Sequence, residues 1–256
     1  MKLLFGKPKP SIKAIFIHIP KTGGTYLSHK NNGKIVLDGM KYLNHSYFVQ
    51  SAAVLNPLYK DTNLEMAHKM VFQKSEVNVP VFSVVRNIFD FFVSYAGHAG
   101  GWNPKYKNPN HYDFELAQKG FDYLIKSIAD REDKWPNRKF IFFQLFSSDG
   151  DLMADRILRN ETLDEDVLVM ANDWKMNYQK LERNRLGIRD EFSSYYTAEL
   201  IQVVEKTWKR ELELFGYSYD SLFCDESRAI LPRVISSEMK NKVKYFYDSD
   251  KLLLHE

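Results

Sequence analysis

The feature that most constrains this chain is the join between residues 14 and 25. Ala14-Ile15-Phe16-Ile17-His18-Ile19 is an almost unbroken run of apolar residues, and Pro20-Lys21-Thr22-Gly23-Gly24-Thr25 stops it sharply. A strand with one solvated face alternates apolar with polar residues, so a continuous run of this length reads as a strand buried on both faces. Two adjacent glycines then let the backbone turn tightly into a following helix. A strand of this kind needs a sheet with cover on both sides.

The rest of the chain repeats the alternation. Val79-Pro80-Val81-Phe82-Ser83-Val84-Val85 is a second buried strand, broken by Arg86-Asn87, and Ile88 to Tyr95 is helical. From Phe121 to Arg131 the spacing places Phe121, Leu124, Ile125 and Ile128 on one helix face. Residues 139–146 and 156–158 are further strand candidates. Thr162, with Asp164, Glu165 and Asp166 behind it, marks the start of a helix running toward Trp174. Thr197 to Phe215 is the longest helical pattern, with Thr197 as its cap and Gly216 as its stop. Strands alternating with helices predict an α/β domain with a central, mostly parallel sheet covered on both faces. No repeat or low-complexity linker divides it. The expectation is a single domain over 1–256, with a core at about 13–220 and a less patterned C-terminal extension over 221–256.

Composition narrows the partners. The 36 Lys and Arg against 33 Asp and Glu leave a formal charge of +3, too small and too evenly spread for a nucleic-acid binder. The single cysteine, Cys224, excludes an internal disulfide and any multi-cysteine metal site. Leu3-Leu4-Phe5 is the whole apolar run before Gly6. A signal peptide needs more, and a membrane span needs about 20 apolar residues. The expectation is therefore a cytoplasmic protein without a membrane or nucleic-acid partner.

Two elements carry chemistry. In the first, Lys21 supplies a full positive charge, Thr22 and Thr25 supply hydroxyls, and the Gly23-Gly24 backbone brings N–H groups close to an anion. This is not a Walker loop, whose lysine follows the last glycine. Here the lysine precedes the glycine pair. In the second, Arg86 ends a strand, where ligands of open α/β sheets bind. Ser94 follows eight positions later, about two helical turns along. Taken singly, each element also fits a ligand-free glycine turn, or a solvated arginine beside a helix serine.

Taken together they resemble a family. Ile19-Pro20-Lys21-Thr22-Gly23-Gly24-Thr25 is similar to the 5′-phosphosulfate loop of sulfotransferases that use 3′-phosphoadenosine 5′-phosphosulfate (PAPS). Phe82-Ser83-Val84-Val85-Arg86-Asn87, with Ser94-Tyr95, is similar to their 3′-phosphate motif, although Ile88 stands where that family usually has proline. Asp155 to Asp166 resembles a family segment with an acidic residue and a leucine before a helix. Leu212 to Tyr219 resembles the end of the last core helix in the carbohydrate-type branch.

The resemblance implies a three-layer α/β sandwich with a P-loop-like phosphosulfate-binding loop. It implies a metal-free, in-line transfer of a sulfuryl group from PAPS to a hydroxyl or amine of a small-molecule or carbohydrate acceptor, releasing 3′-phosphoadenosine 5′-phosphate (PAP). On that basis Lys21 stabilises the leaving oxygen, and Lys21, Thr22, Gly23, Gly24, Thr25 and Tyr26 hold the 5′-phosphosulfate. Arg86 and Ser94 hold the 3′-phosphate, with Arg185 from a basic loop. His68 occupies the place of a general base, with His45, His98 and Glu65 behind it, whereas His18 reads as a packed residue. Trp102, Tyr106, Tyr112 and Phe114 form either an acceptor lid or an ordinary surface loop. A kinase with an atypical phosphate loop and a non-catalytic adenosine bisphosphate binder are the alternatives.

Overall fold

The computed structural model describes residues 13–19, 21–28, 30–31, 34–43, 80–99, 113–130, 145, 151–152, 154–181, 190–220, 237 and 240–241. In chain order, β1 is Ala14–Ile17 and α1 is Gly24–Ser28. A small antiparallel pair follows, β2 (Lys30–Asn31) and β3 (Lys34–Ile35), and then β4 (Met40–Leu43). β5 is Val81–Val85, α2 is Ile88–Ala99 and α3 is Phe114–Asp130. β6 is Arg156–Arg159 and α4 is Leu163–Asp173. A 3-10 turn over Phe192–Tyr195 leads to α5 (Ala198–Thr207) and α6 (Lys209–Phe215).

The protein is α/β, and its main sheet is parallel throughout, in the order β4-β1-β5-β6. From β1 the chain goes to one side to form β4, then returns past β1 to form β5 on the other. The order reverses between β1 and β5, and open α/β sheets bind ligands outside the carboxyl ends of strands at such a switch point. Phe16 pairs with Phe82 and Ile17, the last residue of β1, with Ser83, so β5 runs two residues beyond the end of β1.

Strand parity explains the continuous apolar runs. Successive strand side chains point to opposite faces. Ile15, Ile17, Val81, Val85 and Ile157 enter one buried cluster with α2, α3, α5 and α6. Ala14, Phe16, Phe82, Val84 and Leu158 enter a second, with Leu27 and the inner face of α4. Ser83 is the polar exception in β5, fully buried, and its hydroxyl donates to the carbonyl of Ile17 at 2.8 Å.

Several expectations shift in detail. The helix expected over 121–131 starts seven residues earlier, because Asp113 caps it: its carboxylate accepts from the Leu116 N–H at 3.1 Å. Thr162 sits at the start of α4, yet its hydroxyl donates to Asp166 at 3.1 Å instead of capping the helix. The helix expected from Thr197 to Phe215 is two helices that meet at Trp208. Thr197 caps α5 by accepting from the Leu200 N–H at 3.2 Å, and Gly216 ends α6 at φ 66°. The break lets the Trp208 ring reach Phe92, 4.4 Å between ring centroids, inside the core. β4 is an addition, too short and mixed in Met40-Lys41-Tyr42-Leu43 to stand out as a strand. Of the strand expected over 139–146 only Leu145 is described, and it is buried. Most of 221–256 lies outside the described residues, but Lys240 pairs with Asp151 at 2.6 Å.

Trp208 is completely buried and anchors the break between two helices. Trp208→Ala is expected to cost about 3–5 kcal/mol. A fall in urea midpoint with little change in slope would show this, whereas a loss under 1 kcal/mol would contradict the packing described.

Candidate functional site

The carboxyl ends of β1, β5 and β6 lie side by side, and the loops leaving them interlock. Past β1, the chain turns through Lys21 at φ 67° and Gly23 at φ 103°. The left-handed region costs a residue with a Cβ roughly 1–2 kcal/mol, so Lys21 is held there against its preference. The buried Thr22 hydroxyl donates to the Ile19 carbonyl at 2.8 Å and closes the turn from inside. Its proton is therefore spent on the loop's own shape.

The two glycines have different reasons. A Cβ on Gly23 would meet Asn160 Nδ2 at 2.7 Å, and the positive φ disfavours any side chain there. Gly24 has no such backbone demand. A Cβ on it would lie 1.9 Å from Cδ2 and 2.0 Å from Nε2 of His18, so the start of α1 rests directly on that imidazole. His18 is 7% exposed, in keeping with a packed role. α1 spans only the five residues Gly24–Ser28, so its dipole is small. The loop's charge comes from Lys21.

Past β5, Arg86 is held from two sides. Its Nε donates to Asp90 Oδ2 at 2.7 Å, and Nη2 forms an ion pair with the same oxygen. Nη1 donates to the Lys21 carbonyl at 2.8 Å, which ties the β5 turn to the loop after β1. Asn87 starts α2. Its Oδ1 accepts from the Phe89 N–H at 3.0 Å, and its carbonyl accepts from the Phe91 N–H at 2.7 Å. This capping sets the helix entry where a proline would have preset it, and Ile88 is free to be a core residue with no exposure.

Past β6, Glu161 closes the arrangement. Its Oε1 accepts from the Asn87 N–H at 2.8 Å and its Oε2 from the Tyr217 hydroxyl at 2.9 Å. Asn87 Nδ2 also donates to the Ser218 carbonyl at 3.0 Å, so the turn after α6 is stitched to the β5 turn. Burial raises the Glu161 carboxyl above its ordinary value, opposed by the Asn87 N–H, the Arg86 charge and the Tyr217 hydroxyl. Arg159, beside Val85 in the ladder, is also buried, with its guanidinium carbon 6.0 Å from the Tyr217 ring centroid.

Lys21, Thr22, Gly23, Gly24 and Arg86 thus come together at the switch point. Thr25 and Tyr26 lie in α1, and the Tyr26 hydroxyl accepts from the Leu181 N–H at 3.3 Å. Ser94 is half-buried in α2, one turn beyond Asp90. His68, His45, Glu65, Arg185, Trp102, Tyr106 and Tyr112 lie outside the described residues, as does the side chain of His98. Phe114 belongs to the first turn of α3 and packs edge-on against Tyr195, 5.3 Å between centroids, on the core rather than in a lid. Asp90, Asn160 and Arg159 were not singled out by the sequence reading. Only the i, i+4 spacing of Arg86 and Asp90 carried a signal. Glu161 and Tyr217 fell inside the two weaker motif matches, and the fold joins those matches through one hydrogen bond. Among the described residues no group of three or more His, Cys, Asp and Glu side chains is arranged to hold a metal ion. No helix among them is long and apolar enough to cross a membrane.

No family model matches this chain, and neither a curated protein nor a solved structure is significantly similar to it.

The contact between Gly24 and His18 is testable by a double-mutant cycle. Gly24→Ala is expected to destabilise the protein by about 1–3 kcal/mol through overpacking. In the His18→Ala background the same change should cost far less, because the ring that obstructs the new methyl group is gone. Equal costs in both backgrounds, measured by calorimetry, would refute the contact.

Glu161 gives stability a pH dependence of definite sign. With its folded value raised above the ordinary 4.5, the folded state holds more protons than the unfolded state between those two values. Stability is then fully present below the unfolded value and falls as pH rises through the folded one. Asp166, also raised, chiefly by burial, contributes in the same direction. Glu161→Gln can still accept from Asn87 and donate to Tyr217, so it should flatten the pH dependence without eliminating it. An unchanged slope in denaturation across this range would show that Glu161 titrates normally.

Proposed function

We propose that this protein is a PAPS-dependent sulfotransferase, built as a three-layer sandwich with a P-loop-like phosphosulfate-binding loop. The observation that carries the reading is the 2.8 Å bond from Arg86 Nη1 to the Lys21 carbonyl. It joins the two segments that separately resemble the 5′-phosphosulfate and 3′-phosphate motifs, at the switch point of a parallel sheet. A donor with phosphates at both ends of one ribose needs two anion sites a few ångströms apart, held rigidly relative to each other. A guanidinium that bonds to the other loop's backbone meets that need.

In this reading the acceptor oxygen or nitrogen attacks sulfur while the bond from sulfur to the 5′-phosphate oxygen breaks, releasing PAP. Charge builds on the leaving oxygen in a loose transition state, as in phosphoryl transfer. Lys21 neutralises it, and the N–H groups of Gly23, Gly24 and Thr25 hold the 5′-phosphate, with Tyr26 at the same helix. Arg86 holds the 3′-phosphate with Ser94 and Arg185. Among the described residues its contacts with Asp90 and Lys21 use three of its five donor hydrogens, leaving one on each Nη nitrogen for a ligand. His68 takes the acceptor's proton where the acceptor is a hydroxyl. Lysine and fixed dipoles do the electrostatic work, with no metal. The acceptor is a small molecule or carbohydrate and the protein acts in the cytoplasm.

The test is the melting temperature of the wild type and Arg86→Ala with PAP, AMP and ATP plus magnesium. Ligand at 100 times its dissociation constant adds about 2.7 kcal/mol, or about 5–10 °C for a chain of this size. Stabilisation by PAP beyond AMP, abolished in Arg86→Ala, is expected. A preference for ATP with magnesium would replace this reading with a kinase. PAP binding without sulfate transfer to any acceptor would indicate a binder only.

A further inference from the structure

We infer that Asp90 is a positioning residue that sets selectivity for the 3′-phosphate by fixing the orientation of the Arg86 guanidinium. This rests on the reading above and deepens it. Asp90 lies in the first turn of α2, four residues after Arg86, and a single oxygen, Oδ2, takes both Nε and Nη2. The Lys21 carbonyl takes Nη1. The plane is thereby held by two elements, and the remaining Nη1 and Nη2 hydrogens point in one set direction. Arginine carries much side-chain freedom, and a guanidinium ordered before the ligand arrives leaves less entropy to lose on binding.

A rival electrostatic role predicts the opposite effect. The pair is largely buried, with side chains 11% and 14% exposed. If Asp90 acted only as a negative charge competing with the ligand for Arg86, removing it would expose an uncompensated cation and tighten the binding of any anion. Because one oxygen accepts both donors, Asp90→Asn can keep that acceptor while removing the charge. Asp90→Ala removes both. The two variants separate position from charge.

The experiment is calorimetric titration of PAP and AMP into the wild type, Asp90→Asn and Asp90→Ala. Wild type and Asp90→Asn are expected to prefer PAP over AMP. Asp90→Ala is expected to lose about tenfold in PAP affinity, with AMP affinity unchanged. Unchanged AMP binding is what general damage to the fold would not give. If Asp90→Ala binds PAP as well as or better than the wild type does, the positioning role is overturned while the cofactor reading survives. If the wild type itself does not distinguish PAP from AMP, both fall together. Should Asp90→Ala fail to fold, Asp90→Glu carries the test, since it keeps the charge but displaces the oxygen. It is expected to lose the same selectivity, and retained selectivity would overturn the role.

Discussion

A guanidinium that is nearly withdrawn from water has to have its charge met and most of its donors engaged, and Arg86 is only 9% exposed. Asp90 supplies the charge from the first turn of α2, four residues on, and the Lys21 carbonyl supplies an acceptor from across the switch point. The second contact couples two segments 65 residues apart. The loop after β1 keeps its left-handed turn at Lys21 because its carbonyl is drawn toward Arg86 and its interior is closed by Thr22. The β5 turn keeps its shape because Asn87 is fixed through its backbone N–H, its side-chain oxygen and its side-chain amide. Remove Arg86, and these loops share a neighbourhood without sharing a frame.

The supporting layer is polar but almost completely satisfied. Glu161 meets one N–H and one hydroxyl, and Asp166 meets the Arg159 N–H and the Thr162 hydroxyl. Buried carboxylates are costly unless bonded in this way, and once bonded they fix geometry in a way that apolar contacts do not. Two acidic residues thus sit under a site expected to bind anions. They face backbone N–H groups and hydroxyls, so their role is to set loop positions. The apolar clusters on both sides of the sheet hold the strands level, and the carboxylates set what emerges from them.

The strands were legible because burial on both faces leaves an unmistakable apolar run, as in Ala14–Ile17 and Val81–Val85. The loop after β1 was legible because paired glycines next to lysine and threonine are hard to place anywhere else. β4 was missed, since four residues of mixed polarity carry no periodic signal. The break at Trp208 was missed for a different reason. Residues 197–215 have helical periodicity throughout, and the interruption exists only because the core accepts the indole ring beside Phe92. Gly24 has a second reason that the sequence did not show: it leaves room for an imidazole six residues earlier.

By itself the sequence determined the class of the fold and the two segments that carry positive charge at strand ends, because both follow from local composition and period. It could not determine which loops touch. That Arg86 meets Lys21, that Glu161 sits beneath Asn87, and that Tyr217 returns from the far end of the chain to meet Glu161 are consequences of strand order. Parallel pairing sets β1, β5 and β6 side by side with their carboxyl ends pointing the same way. Residues separated by 56 to 74 positions then fall within hydrogen-bonding distance. No local pattern encodes such a meeting, because it depends on which strands the buried core brings into register.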